Sequence, residues 1–139
     1  MKIALILSFS LALFAFDSLT ASKIFDKILH GLMQKEKISV YTSNEKYAGV
    51  IRDAQRLVLI KDAKKADIIL VNDFDEIPEG SERQLLFSTS YPVFKQMDNA
   101  VGAFYWDRGH IKIEFSKRRL KKYNISLKPS LSKYIKEDD

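Results

Sequence analysis

Two unbroken apolar runs, Leu57-Val58-Leu59-Ile60 and Ile68-Ile69-Leu70-Val71, are separated by only seven residues, Lys61 to Asp67. A four-residue run without polar alternation reads as a strand buried on both faces, in a sheet covered by helices. Seven residues are too few for a full crossover helix between parallel neighbours. The connection is therefore a single helical turn, or a jump across the sheet to a strand on the far side of the first.

The flanking sequence supplies the cover. From Ser22 to Glu36, the residues Ile24, Phe25, Ile28, Leu29, Leu32 and Met33 recur at helical spacing and make one apolar stripe. Lys37 to Thr42 alternates and is a strand. Ser43 or Asn44 caps a second helix, on which Tyr47, Val50, Ile51 and Ala54 share a face. After an acidic turn region with Pro78 and Gly80, Gln84 to Thr89 reads as a strand and Ser90 opens a short helix. Ala100–Trp106 and Ile111–Phe115 form a hairpin about the turn Asp107-Arg108-Gly109-His110. Ser116 caps a helix over Lys117 to Tyr123, and Asn124 stops it in the left-handed conformation. Pro129 starts a last helix that runs to about Lys136. The expected fold is α/β: a single-domain three-layer α/β sandwich with a mixed sheet and a C-terminal β-hairpin followed by short helices.

The N-terminus has one Lys, an apolar run from Ile3 to Phe16, and small or polar residues ending at Ala21. This is the three-part pattern of a secretory signal peptide, residues 1–21. The run is short of the roughly 20 residues that span a bilayer. Export to the periplasm by a cleaved signal is expected, with one domain from Ser22 to Asp139. The mature domain keeps the net charge of +5, which favours acidic partners slightly. There is no Cys, which excludes disulfide staples, cysteine catalysis and thiolate metal sites.

Little in the chain suggests catalysis. His30 lies at the edge of the first helix's apolar stripe, and His110 lies in a turn. The five glycines are isolated and form no phosphate loop. The acidic loop with Asp73, Asp75, Glu76, Glu79 and Glu82 lacks the ligand order of a calcium-binding loop and reads as solvated. No enzyme activity and no cofactor are expected. Ser43, Ser88, Thr89 and Ser90 follow probable strands. They are candidates for holding a small anion or solute where helix N-termini offer free N–H groups, or else they simply cap helices.

The basic stretch after the hairpin has two readings. Leu120 and Tyr123 face inward, so Lys117, Arg118, Arg119, Lys121 and Lys122 cover the outside. This is either a solvated face or a docking surface for an acidic partner. Nucleic acid is not an expected partner of an exported protein. Candidate partner-binding residues are Arg108, His110, Arg118, Arg119 and Lys122, with Tyr105 or Trp106 as an aromatic anchor. The hairpin's sheet edge also allows pairing with a second copy as a homodimer.

The segment from Phe94 to Tyr134 resembles the YfiR-like family of periplasmic regulatory proteins. The resemblance lies in a short helix, a turn, a hairpin whose second strand carries Glu114, a basic helix with Lys121 and Lys122 in place of paired Arg, and Asn124 in place of a stop Gly. Ser116 stands where the family has Asn. The early strand–helix–strand pattern of Lys37 to Asp73 is also similar. The resemblance implies a periplasmic regulator without enzyme activity. Its partner would be the periplasmic sensing domain of an inner-membrane signalling protein, a diguanylate cyclase or a sensor histidine kinase. Asp98-Asn99 replaces the family's paired glycines, and the family's cysteines are absent.

Overall fold

The computed structural model of the protein describes residues 18–137. Helix α1 (Ser18–Met33) is followed by β1 (Ile38–Tyr41), α2 (Glu45–Arg52) and β2 (Leu57–Leu59). A 3₁₀ turn over Ala63–Lys65 leads to β3 (Ile68–Val71), and a second over Phe74–Glu76 leads towards β4 (Leu86–Ser88). Then come α3 (Tyr91–Gln96), β5 (Ala100–Asp107), β6 (His110–Ser116) and α4 (Lys117–Lys122). A 3₁₀ segment over Pro129–Tyr134 ends in β7 (Ile135–Lys136). Residues 1–17, most of the expected signal peptide, lie outside the described residues. The expected cut after Ala21 falls in the first turn of α1, where Ala21 is buried.

The seven strands form one mixed sheet in the order β2-β1-β3-β4-β5-β6-β7. Strands β1 to β5 are mutually parallel, β6 is antiparallel to β5, and β7 is parallel to β6. The seven-residue link contains one 3₁₀ turn and crosses from β2, on one side of β1, to β3 on the other. This order corrects one expectation. Every residue of β3 is buried, but β2 is an edge strand and its Val58 is 41 % exposed. An apolar run reports a preference for burial, and strand order decides which run obtains it.

The sheet has a core on each face. Phe25, Ile28, Leu29 and Leu32 of α1 and Val50 and Ile51 of α2 pack on Val40, Leu70, Phe87 and Phe115, together with Leu120 of α4. The opposite face is thinner. Val93 and Phe94 of the six-residue α3 and the short 3₁₀ turns cover Ile69, Val71, Leu86 and Ala103. The three-layer sandwich is thus present, with unequal layers.

Polar side chains set the register where connections are short. The Asp67 backbone N–H donates to Ser39 O and to Ser39 Oγ, both at 2.9 Å. The Asp67 carboxylate in turn accepts from Ser39 N at 2.9 Å and from Lys35 at 2.9 and 3.0 Å. Partial burial opposes the charged form of Asp67, but these donors outweigh it and hold the carboxyl below its ordinary value.

Local signals are met at several ends. Asn44, rather than Ser43, caps α2 by accepting from Lys46 N and Tyr47 N. Ser116 caps α4 by accepting from Arg119 N. Asn124 sits at φ +58°. The last expected helix is corrected. Pro129–Tyr134 is 3₁₀, and Ile135 leaves it to pair with Phe115, because a free sheet edge lies beside it. A bulge in β5 places one extra residue, Val101, between the partners of Leu86 and Phe87.

Gly102 lies opposite Phe115, whose ring occupies the space of a side chain. An added Cβ would meet Phe115 Cδ1 at 2.7 Å and the Glu114 carbonyl at 3.0 Å. Gly102→Ala is expected to lower unfolding free energy by about 1–3 kcal/mol. Gly49→Ala, inside α2 with nothing within 4 Å of the new methyl, is expected to raise it by about 0.5–1 kcal/mol. Urea unfolding of both variants checks the pair, and a stabilising Gly102→Ala would contradict the packing.

Candidate functional site

The sheet order makes a switch point at the carboxyl ends of β1 and β3, where the chain departs in opposite directions. Open α/β sheets use such switch points for ligands. In this protein the half-buried carboxylate of Glu76 is bonded across it. Glu76 accepts from Asn72 N at 2.7 Å, from Asp73 N at 3.4 Å and from Asn44 Nδ2 at 2.9 Å. Burial pushes the Tyr47 hydroxyl above its usual range, and the nearby Glu76 charge adds to the effect.

The four residues expected to bind a small anion are mostly used inside this end of the sheet. Ser88 is fully buried, and its hydroxyl links Ser90 N and Ser90 O at 2.9 and 2.7 Å. Thr89 is buried and donates to Asn72 Oδ1 at 2.7 Å. Ser90 starts α3 without a side-chain cap bond. Ser43 alone is exposed. Two of the four side chains, Ser88 and Thr89, thus serve the loop that joins β4 to α3.

The basic helix α4 divides by face. Arg119 was expected outside, and this is corrected: it is buried, and it is structural. Its Nη1 donates to Phe94 O at 2.5 Å and to Ala100 O at 2.7 Å, and its Nη2 donates to Lys95 O at 3.2 Å. The guanidinium lies 5.1 Å from the Phe94 ring centre. One side chain therefore satisfies carbonyls at the end of α3 and the start of β5. Arg118 and Lys122 are exposed, but both bind Asp98, at 2.8 and 2.5 Å. Hydrogen bonds from Lys122 and then Arg118 hold the Asp98 carboxyl down to about 2. Asp98 thus neutralises much of the surface expected to attract an acidic partner. Its neighbour Asn99 is buried and donates to Ser81 O and Gln84 O. The Asp98-Asn99 turn anchors a helix on one side and the acidic loop on the other.

The hairpin remains as an accessible feature. β4 accompanies β5 only as far as Ala103, so Phe104 to Asp107 and their β6 partners extend past it. Trp106 is 52 % exposed and lies directly across from Ile111, which is 41 % exposed. Alternation along β6 puts Ile111, Ile113 and Phe115 on one face, yet only Phe115 of the three is fully buried, because the hairpin outruns the helices. Arg108 and Gly109 have φ of +52° and +81°, the two left-handed positions of a type I′ turn. Arg at such a position is uncommon, and left-handed backbone costs roughly 1–2 kcal/mol in a residue with a Cβ. His110 is exposed beside it. On the opposite face Tyr105 donates to Glu114 at 2.7 Å and lies 5.3 Å from the Tyr91 ring. Burial and this bond keep its hydroxyl protonated well above the usual range.

No family model, curated protein or solved structure matches the chain. The resemblance to YfiR-like proteins therefore rests on residue pattern alone. Among the described residues no helix is long and apolar enough to cross a membrane.

Arg119→Met is expected to lower stability by about 3 kcal/mol, since buried carbonyls lose a charged donor. Arg118→Ala should stay within about 1 kcal/mol, as an exposed pair. Chemical denaturation separates the two, and equal losses would refute the division of faces. The depressed pKa of Asp98 also has a sign. Its contribution is complete above its ordinary value of 3.8 and is lost as pH falls through about 2. Asp98 is half exposed, so solvent screening keeps this small. Asp98→Asn should flatten the stability profile between pH 4 and 2 and nowhere above it.

Proposed function

We propose that this chain is an exported, non-enzymatic binding protein that docks a partner protein through the β5–β6 hairpin. The carrying observation is the directly paired, exposed Trp106 and Ile111 on a two-stranded projection beyond β4. A large aromatic beside an aliphatic side chain supplies a desolvating anchor. Arg108 at the tip, with His110 and Lys112 on the face of the hairpin opposite Trp106, supplies the polar and basic groups near the anchor that steer an acidic partner. The residue pattern shared with YfiR-like proteins, with the secretory pattern at the N-terminus, makes the partner the periplasmic sensing domain of an inner-membrane signalling protein. A diguanylate cyclase or sensor kinase is the class it implies.

The surface differs from the one first expected from sequence. Tyr105 faces Tyr91 and Glu114, Arg119 is buried, and Arg118 and Lys122 are held by Asp98. Trp106, Arg108 and His110 carry the reading, joined by Ile111 and Lys112. The small-solute reading has less support, because Ser88 and Thr89 are committed to internal bonds and Glu76 is bonded across the switch point.

The test is a crosslinking pull-down from intact cell envelopes with the wild type and with Trp106→Ala and Ile111→Ser. The expected result is one dominant inner-membrane sensor with the wild type, at least tenfold reduced in both variants, with unfolding midpoints near wild type. Undiminished capture in both variants would remove the hairpin as the docking surface.

A further inference from the structure

The outer edge of β6 is only partly covered. β7 pairs with it at Phe115 and Ser116 and stops there. Among the described residues, no strand lies beside His110 to Glu114 on that side. Hydrogen-bonded and non-bonded pairs alternate along an antiparallel ladder, and a two-residue turn is closed by a bonded pair. Asp107 and His110 close this turn. The backbone groups of Ile111 and Ile113 therefore point away from β5, in phase with Phe115, which β7 uses.

The side chains restrict what can pair there. Ile111 and Ile113 lie on the Trp106 face, and His110 and Lys112 lie on the other. A second copy is a poor occupant. In a two-fold antiparallel pair, opposed residues share a face, so the axis passes through one residue. Centred on Ile113, Lys112 would meet the partner copy's glutamate favourably. That register sets Ile111 against a Phe115 whose outer edge Ile135 already holds. Centred on Lys112, two lysines oppose each other. Centred on Ile111, Lys112 meets a histidine and Ile113 meets the turn glycine. An edge lysine of this kind is a common guard against self-pairing.

We propose that this edge takes up an extended segment of a different protein, in which apolar side chains opposite Ile111 and Ile113 alternate with an acidic side chain opposite Lys112. The inference rests on the docking reading above and specifies its mode. Backbone bonds from the edge give affinity, and Lys112 with the apolar pair selects the sequence. Arg108 at the turn end of the edge adds attraction for an acidic strand.

The test uses the ¹⁵N-labelled protein, purified as the cell produces it, and two capped pentapeptides, Val-Glu-Val-Glu-Val and Val-Lys-Val-Lys-Val. The acidic peptide should shift the amide signals of residues 110–114 saturably with a dissociation constant below about 1 mM. The basic peptide should bind at least tenfold more weakly. Lys112→Glu, an exposed change, should invert that preference. Ile113→Pro, tolerable on an edge strand, should abolish binding of both. Absent shifts at 110–114, equal response to both peptides, or unchanged preference in Lys112→Glu would overturn the proposal. A dimer in sedimentation that Ile113→Pro dissolves would overturn it too, in favour of a second copy. If Trp106→Ala abolishes partner capture while Lys112→Glu and Ile113→Pro leave it intact, the hairpin is still the docking surface and strand addition is wrong.

Discussion

A strand buried on both faces needs cover on both faces, and β3 imposes that demand on a short chain. Its four residues are all buried between β1 and β4. One face receives the long helix α1 with α2 and α4, and the other receives α3 and single 3₁₀ turns. Cover this thin cannot come from apolar area alone. Side-chain hydrogen bonds close what the helices leave open: Asp67 to Ser39, Glu76 at the switch point, Asn99 to the acidic loop, and Arg119 to α3 and β5.

The same economy shapes the functional surface. A doubly wound sheet offers a ligand crevice at its switch point, but here polar side chains spend their bonding capacity on the connections around it. The hairpin is the reverse case. It extends past β4 and beyond the cover of the helices, so Trp106 and Ile111 are exposed, and among the described residues no strand pairs with its outer edge at residues 110–114.

Charge follows the same division. The chain carries a net +5, and α4 is its densest basic stretch. Yet Arg119 is internal, Lys117 pairs with Glu137 at 2.8 Å, and Arg118 and Lys122 share Asp98. The basic run mostly holds the C-terminal half together. The cations at the hairpin, fewer in number, lie where an approaching partner can reach them.

What could be read from the sequence follows from what is local. Helical spacing placed α1 and α2, apolar runs placed β2 and β3, and Ser116, Asn124 and the Asp107–His110 turn marked ends and a reversal, because capping and left-handed backbone depend on residues a few positions apart. The α/β class and the hairpin were legible for that reason. The tertiary structure decided which strands became edges, that Arg119 turns inward while Arg118 does not, that Asp98 neutralises α4, and that Glu76 is bonded across the switch point. Those outcomes depend on residues 20 to 32 positions apart brought together by strand order. Val58 and Ile111 carry the same point: each has the sequence signature of a core residue, and each is exposed because it lies on an edge that no other described element covers.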